Sequence, residues 1–154
     1  MLAYADYSLF INCGGSRIGF EGNEYEDDQT NRGPAYFFSS SEKWAYTSSG
    51  VFIGKDDANY VTSSASSNLT GGEIYRTARQ APASLKYYGL CLRKGSYKVR
   101  LHFAEIMYSD DKKFSSLGRR IFDVSIQVRK YQQLISGFSI SRSLKSVSLR
   151  NLLG

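Results

Sequence analysis

Few side chains in this sequence could perform acid–base chemistry. His102 is the only histidine, and it lies in residues 97–107, where apolar and polar side chains alternate. A lone histidine in such a strand is typical of a packing or surface residue. Glu105 and Asp123 could form the carboxylate pair of a glycosidase, whose chemistry depends on the separation between the two groups. We expect Glu105 instead to accept hydrogen bonds within a sheet, and we expect no enzymatic activity.

Other catalytic and metal-binding patterns are missing from the sequence. It contains no GxSxG, HExxH, P-loop or kinase signature. Cys13 and Cys91 are the only cysteines, and they lack both the spacing of a zinc site and a nearby histidine. They are either two reduced core thiols or one disulfide. The sequence therefore predicts no metal and no cofactor.

Aromatic side chains are the better candidates for a binding site. Sugars present flat apolar C–H faces and a rim of hydroxyls, so their sites pair aromatic rings with fixed polar groups, often on loops. The chain has 12 tyrosines, 9 phenylalanines and one tryptophan, most of which should fill a β core. Because Trp44, Tyr46 and Tyr108 flank polar turns, we predict that these three are exposed and contact one sugar ligand at one end of the fold.

The elements that must position these residues are strands. Tyr97, Val99, Leu101 and Phe103 alternate with polar residues, and a period of two indicates a half-buried strand. The same pattern predicts a largely buried core of Leu9, Ile11, Val99, Leu101, Phe103, Phe122, Val124 and Ile126.

Turn residues divide the rest of the chain. Residues 16–34 read as an acidic loop and residues 54–72 as a long polar loop. Strands are predicted at residues 9–13, 36–38, 44–46, 51–53, 73–79, 84–92, 97–107 and 121–128, the last two forming a pair. The sequence is therefore all-β.

Length and charge restrict the class of protein. The 154 residues suffice for about one domain. Of the formal charge of +6, residues 128–154 supply +5 and the first 127 residues only +1, without dense basic runs. We therefore expect no nucleic-acid partner. The sequence has no apolar run long enough to span a membrane, and its first residues do not form a secretory signal.

Six ordered sequence blocks resemble the malectin-like domain found outside the membrane in plant leucine-rich-repeat receptor-like serine/threonine kinases. The resemblance extends from about residue 8 to residue 127. The blocks are SLFINCGG from Ser8, WAYTSSG from Trp44, IYRTAR from Ile74, YYGLCL from Tyr87, HFAEI from His102 and SLGRRIFDV from Ser116.

This resemblance implies a fold and a function. The expected fold is a jelly-roll-like antiparallel β-sandwich of two sheets, and the expected function is non-catalytic recognition of carbohydrate, such as a cell-wall glycan, by a signalling ectodomain. The alternative is a module that binds a protein or peptide. A full-length parent would be a receptor kinase with this domain on the extracellular face of the plasma membrane. That oxidising location favours a Cys13–Cys91 disulfide and N-glycosylation at Asn68 in the sequon Asn-Leu-Thr.

The resemblance carries over only part of a known sugar site. The founding animal member binds a glucose-containing oligosaccharide through loop aromatics and a late aspartate. One of its tyrosines falls on Gln80 here, two adjacent aromatics fall on Met107 and Tyr108, and an early one falls near Trp44. Only some of these positions keep an aromatic residue, so the same ligand does not follow.

The sequence departs from the family pattern at Val128. We divide the chain into an N-terminal extension of residues 1–7, a partial malectin-like domain of residues 8–127, and a divergent basic tail of residues 128–154 that is rich in Ser and Leu. The tail lacks a sustained period of two, so we expect it to be poorly ordered and not to replace the family's last strands. The sandwich should then be incomplete at its C-terminal end, with an open sheet edge through which the chain could self-associate.

Overall fold

The computed structural model describes most of the N-terminal two-thirds of the chain and shorter stretches beyond it. The described residues are 8–28, 35–40, 43–53, 60–64, 72–90, 92, 95, 97–104, 106, 120–127, 129–136 and 147–149. Structural statements below refer to these residues.

Strands dominate the structure. They are β1 (Ile11–Cys13), β2 (Ile18–Phe20), β3 (Asn23–Asp28), β4 (Phe37–Ser40), β5 (Trp44–Ser49), β6 (Val61–Ser63), β7 (Thr77–Arg79), β8 (Ser84–Gly89), β9 (Tyr97–Val99), β10 (Arg120–Ile126), β11 (Arg129–Ser136) and β12 (Val147–Leu149). One 3-10 turn, Glu73–Tyr75, precedes β7. All pairs are antiparallel except β1 with β3. The predicted class, an all-β sandwich built mainly from antiparallel pairs, is confirmed.

The first sheet has the strand order β1-β3-β2. β2 and β3 form a hairpin whose two turn residues, Glu21 and Gly22, have φ values of 48° and 76°. Such a pair of positive φ angles matches the twist of the flanking strands. The predicted acidic loop over residues 16–34 is therefore wrong in its first part. In β3, Tyr25 and Asp28 are buried, whereas Glu24 and Asp27 are exposed.

The second sheet, β4-β5-β8, has two chemically different faces. Its register brings Phe38, Tyr46 and Tyr87 side by side, and Trp44 lies on the same face as Tyr46 two residues away. These rings face the interior. The opposite, outward face carries small or hydroxylated residues together with Phe37, Thr47, Lys86 and Tyr88.

The inward face of this sheet contacts β3 and β7. Arg79 of β7 lies over the Tyr46 ring, and Asp28 of β3 accepts a hydrogen bond from Tyr87. The close approach of β1 to β7 depends on Gly14, whose φ is +80° and where a Cβ atom would lie 2.7 Å from the backbone of Ala78. Only glycine combines that φ with so little space.

The predicted core is only partly confirmed. Val124 is buried, and Phe122 and Ile126 flank it on the same side of β10 with exposed residues between them. The other seven predicted core residues, including Phe122 and Ile126, are half-buried. The rings of Phe103 and Phe122 are in contact, with centroids 5.3 Å apart. A separate buried cluster consists of Tyr25, Ile74 and Tyr75.

The C-terminal pairing differs from the prediction. β10 pairs with β11 from Arg120↔Ser136 to Ile126↔Arg129, and β9 pairs with β12 from Tyr97↔Leu149 to Val99↔Val147. The predicted pair of residues 97–107 with 121–128 is therefore wrong, and residues 129–136 and 147–149 form strands within the segment expected to be a poorly ordered tail. The cause is local. Gln127 adopts a φ of 56° and closes a short hairpin, so β10 pairs with the strand that follows it.

Several predicted element boundaries also shift. Residues 51–53 are not a strand, the predicted 54–72 loop contains β6, and the predicted strand 73–79 begins as a 3-10 turn. The strand predicted at residues 97–107 ends at Val99. Within the described part of the chain, no helix has the length and apolar character needed to cross a membrane.

Candidate functional site

Trp44 and Tyr46, two of the three predicted sugar contacts, lie in the interior. Both side chains are 0% exposed on the inward face of β5. The prediction that they are exposed loop aromatics is wrong, because β5 is the central strand of its sheet and another layer covers this face. Tyr108, the third predicted contact, lies outside the described residues.

Four aromatic rings form a continuous layer on this inward face. The ring centroids of Phe38 and Tyr46 are 5.7 Å apart, and those of Tyr46 and Tyr87 are 5.6 Å apart. Trp44 contacts Phe38 at 5.5 Å and Tyr87 at 6.1 Å. Rings at these separations contribute dispersion and burial to folding rather than a surface for a ligand.

A buried ion pair lies against this layer. The Arg79 Nε atom donates to Asp28 Oδ2 at 2.6 Å, and Nη2 donates to Asp28 Oδ1 and to the Asp28 carbonyl oxygen, each at 2.7 Å. The side chains of Asp28 and Arg79 are 0% and 1% exposed. The guanidinium carbon lies 4.3 Å from the centroid of the Tyr46 ring. A forked pair that also stacks on a ring satisfies both charges away from water.

Ionisation of Arg79 and Tyr87 follows from this environment. Burial lowers the pKa of Arg79, but the hydrogen bonds and charge of Asp28 outweigh it, so the pKa is raised and the guanidinium stays charged. Burial, followed by the charge of Asp28, raises the pKa of Tyr87 far above its usual value. Tyr87 is therefore a neutral donor, and its hydroxyl lies 2.5 Å from Asp28 Oδ2.

Cys13 borders the same interior cluster. The residue as a whole is half-buried, but its thiol is enclosed by protein, and burial raises the pKa of the thiol to about 11. The neutral thiol is a poor nucleophile. Cys13 carries a free thiol in the structure, so the predicted disulfide is not seen there. Cys91 itself lies outside the described residues, and the pairing stays a prediction.

Glu26 connects the two sheets at the end of the aromatic layer. Its carboxylate accepts hydrogen bonds from Trp44 Nε1 at 2.9 Å and from Lys43 Nζ at 3.1 Å. Burial acts to raise the pKa of Glu26, but these two donors outweigh it and lower the pKa. Glu26 therefore remains a carboxylate that holds the indole in place, so the single tryptophan has a structural partner.

His102 packs in a second aromatic cluster, beneath the β2–β3 hairpin. Its Nδ1 atom lies 2.8 Å from the Tyr75 hydroxyl, and its ring contacts Phe20, Tyr25 and Tyr75 at centroid separations of 5.7–6.3 Å. Burial, and then the charge of Arg100, lowers the pKa of His102. The prediction of a packing histidine agrees with this position.

Of the two carboxylates considered for glycoside hydrolysis, only Asp123 lies among the described residues. Asp123 is exposed on β10, and Glu105 lies outside the described residues. Among the described residues, no three His, Cys, Asp or Glu side chains are grouped so that they could hold a metal ion. The described groups with shifted pKa values are held in the interior by hydrogen bonds, ion pairs or ring contacts.

Three other positions were singled out by sequence. Asn68 and Met107 lie outside the described residues, whereas Gln80 lies within them. Gln80 is half-buried, and its backbone N–H donates to the Tyr60 carbonyl at 2.8 Å. Sequence reasoning missed the Asp28–Arg79 pair, because the two residues are 51 positions apart. Its only sequence signal was the presence of Arg79 at the end of the IYRTAR block.

The chain is similar to known proteins over most of its length. A family model described as the malectin domain matches residues 7–148, and so does not stop at the predicted boundary of residue 127. Three similar proteins are probable leucine-rich-repeat receptor-like serine/threonine-protein kinases of Arabidopsis thaliana. They are 57%, 54% and 38% identical, over 78%, 78% and 92% of this chain and 12%, 12% and 15% of their own lengths.

The chain thus spans about an eighth of the length of the first two of these curated relatives. No solved structure matches it significantly. The family model covers most of the described strands, from β1 into β12, as well as the buried Asp28–Arg79 pair. The chain therefore belongs to the malectin domain family.

Proposed function

We propose that this chain is a non-catalytic, extracellular recognition module of a receptor-like kinase and that it binds carbohydrate, such as a cell-wall glycan. The observation that carries the proposal is the malectin domain match over residues 7–148, together with relatives that are named as receptor-like kinases. Because the chain spans only 12% of the first relative, kinase activity would reside in other parts of a longer parent. The module would sense a ligand, and the parent would signal.

The interior chemistry supports binding rather than catalysis. The buried charged side chains, Asp28 and Arg79, neutralise each other inside the fold, and Tyr87 adds a further hydrogen bond to Asp28. Charges satisfied in this way have little capacity to stabilise a transition state, which needs groups aimed at a substrate. This arrangement instead rigidifies the fold, as a loop-presenting or sheet-presenting module requires.

A protein or peptide ligand is the second candidate. In the described part of the chain, β4 and β8 form the edges of the sheet β4-β5-β8. An extended peptide can add to such an edge through main-chain hydrogen bonds. A peptide added at a sheet edge would make no use of a sugar site. Free sugars should therefore displace a bound carbohydrate but not a bound peptide, which distinguishes the two candidates.

The test uses the secreted protein on an array of cell-wall oligosaccharides, with heat-unfolded protein as the control. We expect binding that free oligosaccharide competes away and that unfolding abolishes. Asp123→Asn should leave this binding unchanged, and no glycoside should be hydrolysed. Capture of protein ligands that free sugars do not displace, with no signal on the array, would refute carbohydrate recognition. Turnover of a glycoside that Asp123→Asn removes would refute a non-catalytic role.

A further inference from the structure

The outward face of the sheet β4-β5-β8 exposes two aromatic rings. Phe37 is 62% exposed on β4, and Tyr88 is 42% exposed on β8, whereas on the inward face Trp44 and Tyr46 are buried and Phe38 and Tyr87 are half-buried. A single exposed ring is common on protein surfaces. Two rings on the same sheet face, with only β5 between their strands, form a surface that a flat apolar ligand can contact.

Polar side chains lie between and beside the two rings. The register places Thr47 between Phe37 and Lys86 in one cross-strand row, and the next row has Ser39 at one end and Tyr88 at the other. Ser39 and Lys86 are exposed, and Thr47 is half-buried. Hydroxyl and ammonium groups beside exposed rings match the alternation of hydroxyls and C–H faces on a pyranose.

The dimensions of this face favour an oligosaccharide over a monosaccharide. Neighbouring strands lie ~4.8 Å apart and alternate residues ~7 Å apart along a strand, which separates the Cα atoms of Phe37 and Tyr88 by roughly 12 Å. One pyranose ring covers only part of that distance. The two outward residues of β5 between these strands, Ala45 and Thr47, both have short side chains, so no bulky side chain of β5 rises between the rings.

The charge of this face favours an uncharged ligand. Among the described residues of its three strands, Lys86 is the only charged side chain on the outward face. A single exposed lysine contributes little electrostatic attraction in water. We propose that this face, defined by Phe37, Thr47, Lys86 and Tyr88, is where the module binds an uncharged linear oligosaccharide. The two rings stack on different sugar units, and the polar groups bind hydroxyls. The inference rests on the proposed function and adds a location and a ligand class to it.

The experiment measures dissociation constants of the whole chain for β-1,4-linked glucose and mannose oligomers of two to six units. Phe37→Ala and Tyr88→Ala should each weaken binding by about three- to tenfold, and the double variant by more. Tyr88→Phe keeps the ring, so it should weaken binding less than Tyr88→Ala does. Ile53→Ala is the matched control, because Ile53 is fully exposed but lies outside the sheet. Melting temperatures within about 2 °C of the parent would show that all variants are folded.

Oligomer length, salt dependence and binding of a protein by the variants are three further readouts that test the inference. Affinity should rise from two units until the oligomer reaches both rings, and added salt should not change it. If the parent chain binds oligomers but Phe37→Ala and Tyr88→Ala bind equally well, the location is wrong and the proposed function stands. If the parent binds none of these oligomers, the inference is overturned, and the array of cell-wall oligosaccharides decides whether the proposed function stands. If the two variants instead weaken binding of a protein, this face is a protein interface and the inference is overturned.

Discussion

The buried Asp28–Arg79 pair allows the sharpest test of how the two layers are held together. Arg79→Met removes the guanidinium while keeping much of the side-chain volume. It deletes three hydrogen bonds to Asp28 and the contact with the Tyr46 ring, and it leaves a carboxylate inside the fold. Arg79→Met should therefore lower the free energy of unfolding more than the removal of any described exposed ion pair does.

The magnitude follows from the burial of both partners. Removing one member of a buried pair costs about 3–5 kcal/mol, because the remaining charge is uncompensated. Since Tyr87 still donates a hydrogen bond to Asp28, we expect the lower end, about 3 kcal/mol. For a chain of this size, that corresponds to a decrease in melting temperature of about 6–12 °C. Arg79→Lys keeps the charge but loses the fork, so its loss should be smaller.

Denaturant and thermal unfolding followed by circular dichroism provide the assay. The matched control is Arg17→Met, which breaks the exposed Arg17–Glu24 pair, whose side chains are 63% and 68% exposed. That change should cost less than about 1 kcal/mol. Asp28→Asn combined with Arg79→Met should cost less than the sum of the single changes, because no lone charge remains. Strict additivity, or an Arg79→Met loss no larger than the control, would refute the reasoning. Should Arg79→Met fail to fold, Arg79→Lys carries the comparison.

Three other predictions concern separate parts of the molecule. The pKa of His102 is lowered in the folded state, mainly by burial, so stability should be full above about pH 6.5 and decline as pH falls, since the unfolded chain then binds the proton first. His102→Gln should remove this slope in denaturant titrations, and an unchanged slope would contradict the assignment. Gly14→Ala should destabilise more than Gly22→Ala, because both have positive φ but only at Gly14 would a Cβ atom meet backbone, at 2.7 Å. Equal losses in thermal melts would show that the close approach is unimportant. Mass spectrometry of secreted protein should find Cys13 joined to Cys91, and two free thiols would count against the disulfide.

Local sequence patterns were sufficient where a strand's own residues decide its geometry. Alternation in β10 correctly predicted that Phe122, Val124 and Ile126 share a face, because successive side chains leave opposite sides of a strand. Alternation and turn residues also correctly predicted strands at the positions of β5 and β8. The six sequence blocks were enough to identify the family and its all-β class.

The sequence patterns did not predict the hairpin formed by β10 and β11. The residues of β11 match no expected strand, so the sequence predicts a tail there, yet a left-handed backbone conformation at Gln127 turns the chain back onto β10. A non-glycine residue seldom adopts that conformation, so composition gives little warning of the turn. The neighbouring strand then forms the pair, since a short loop costs less entropy to close than a long one.

Burial of individual residues required the tertiary structure. The alternation in β5 indicates that Trp44 and Tyr46 share a face, but it does not say whether that face meets water or another layer. Arg79 covers the Tyr46 ring and pairs with Asp28, and sequence reasoning assigned these two residues to an unrelated strand and to a loop. A carboxylate can be buried only when a partner neutralises it, and that partner is 51 residues away. The period of a strand is a local property of the backbone, whereas the choice of the buried face depends on contacts between distant segments.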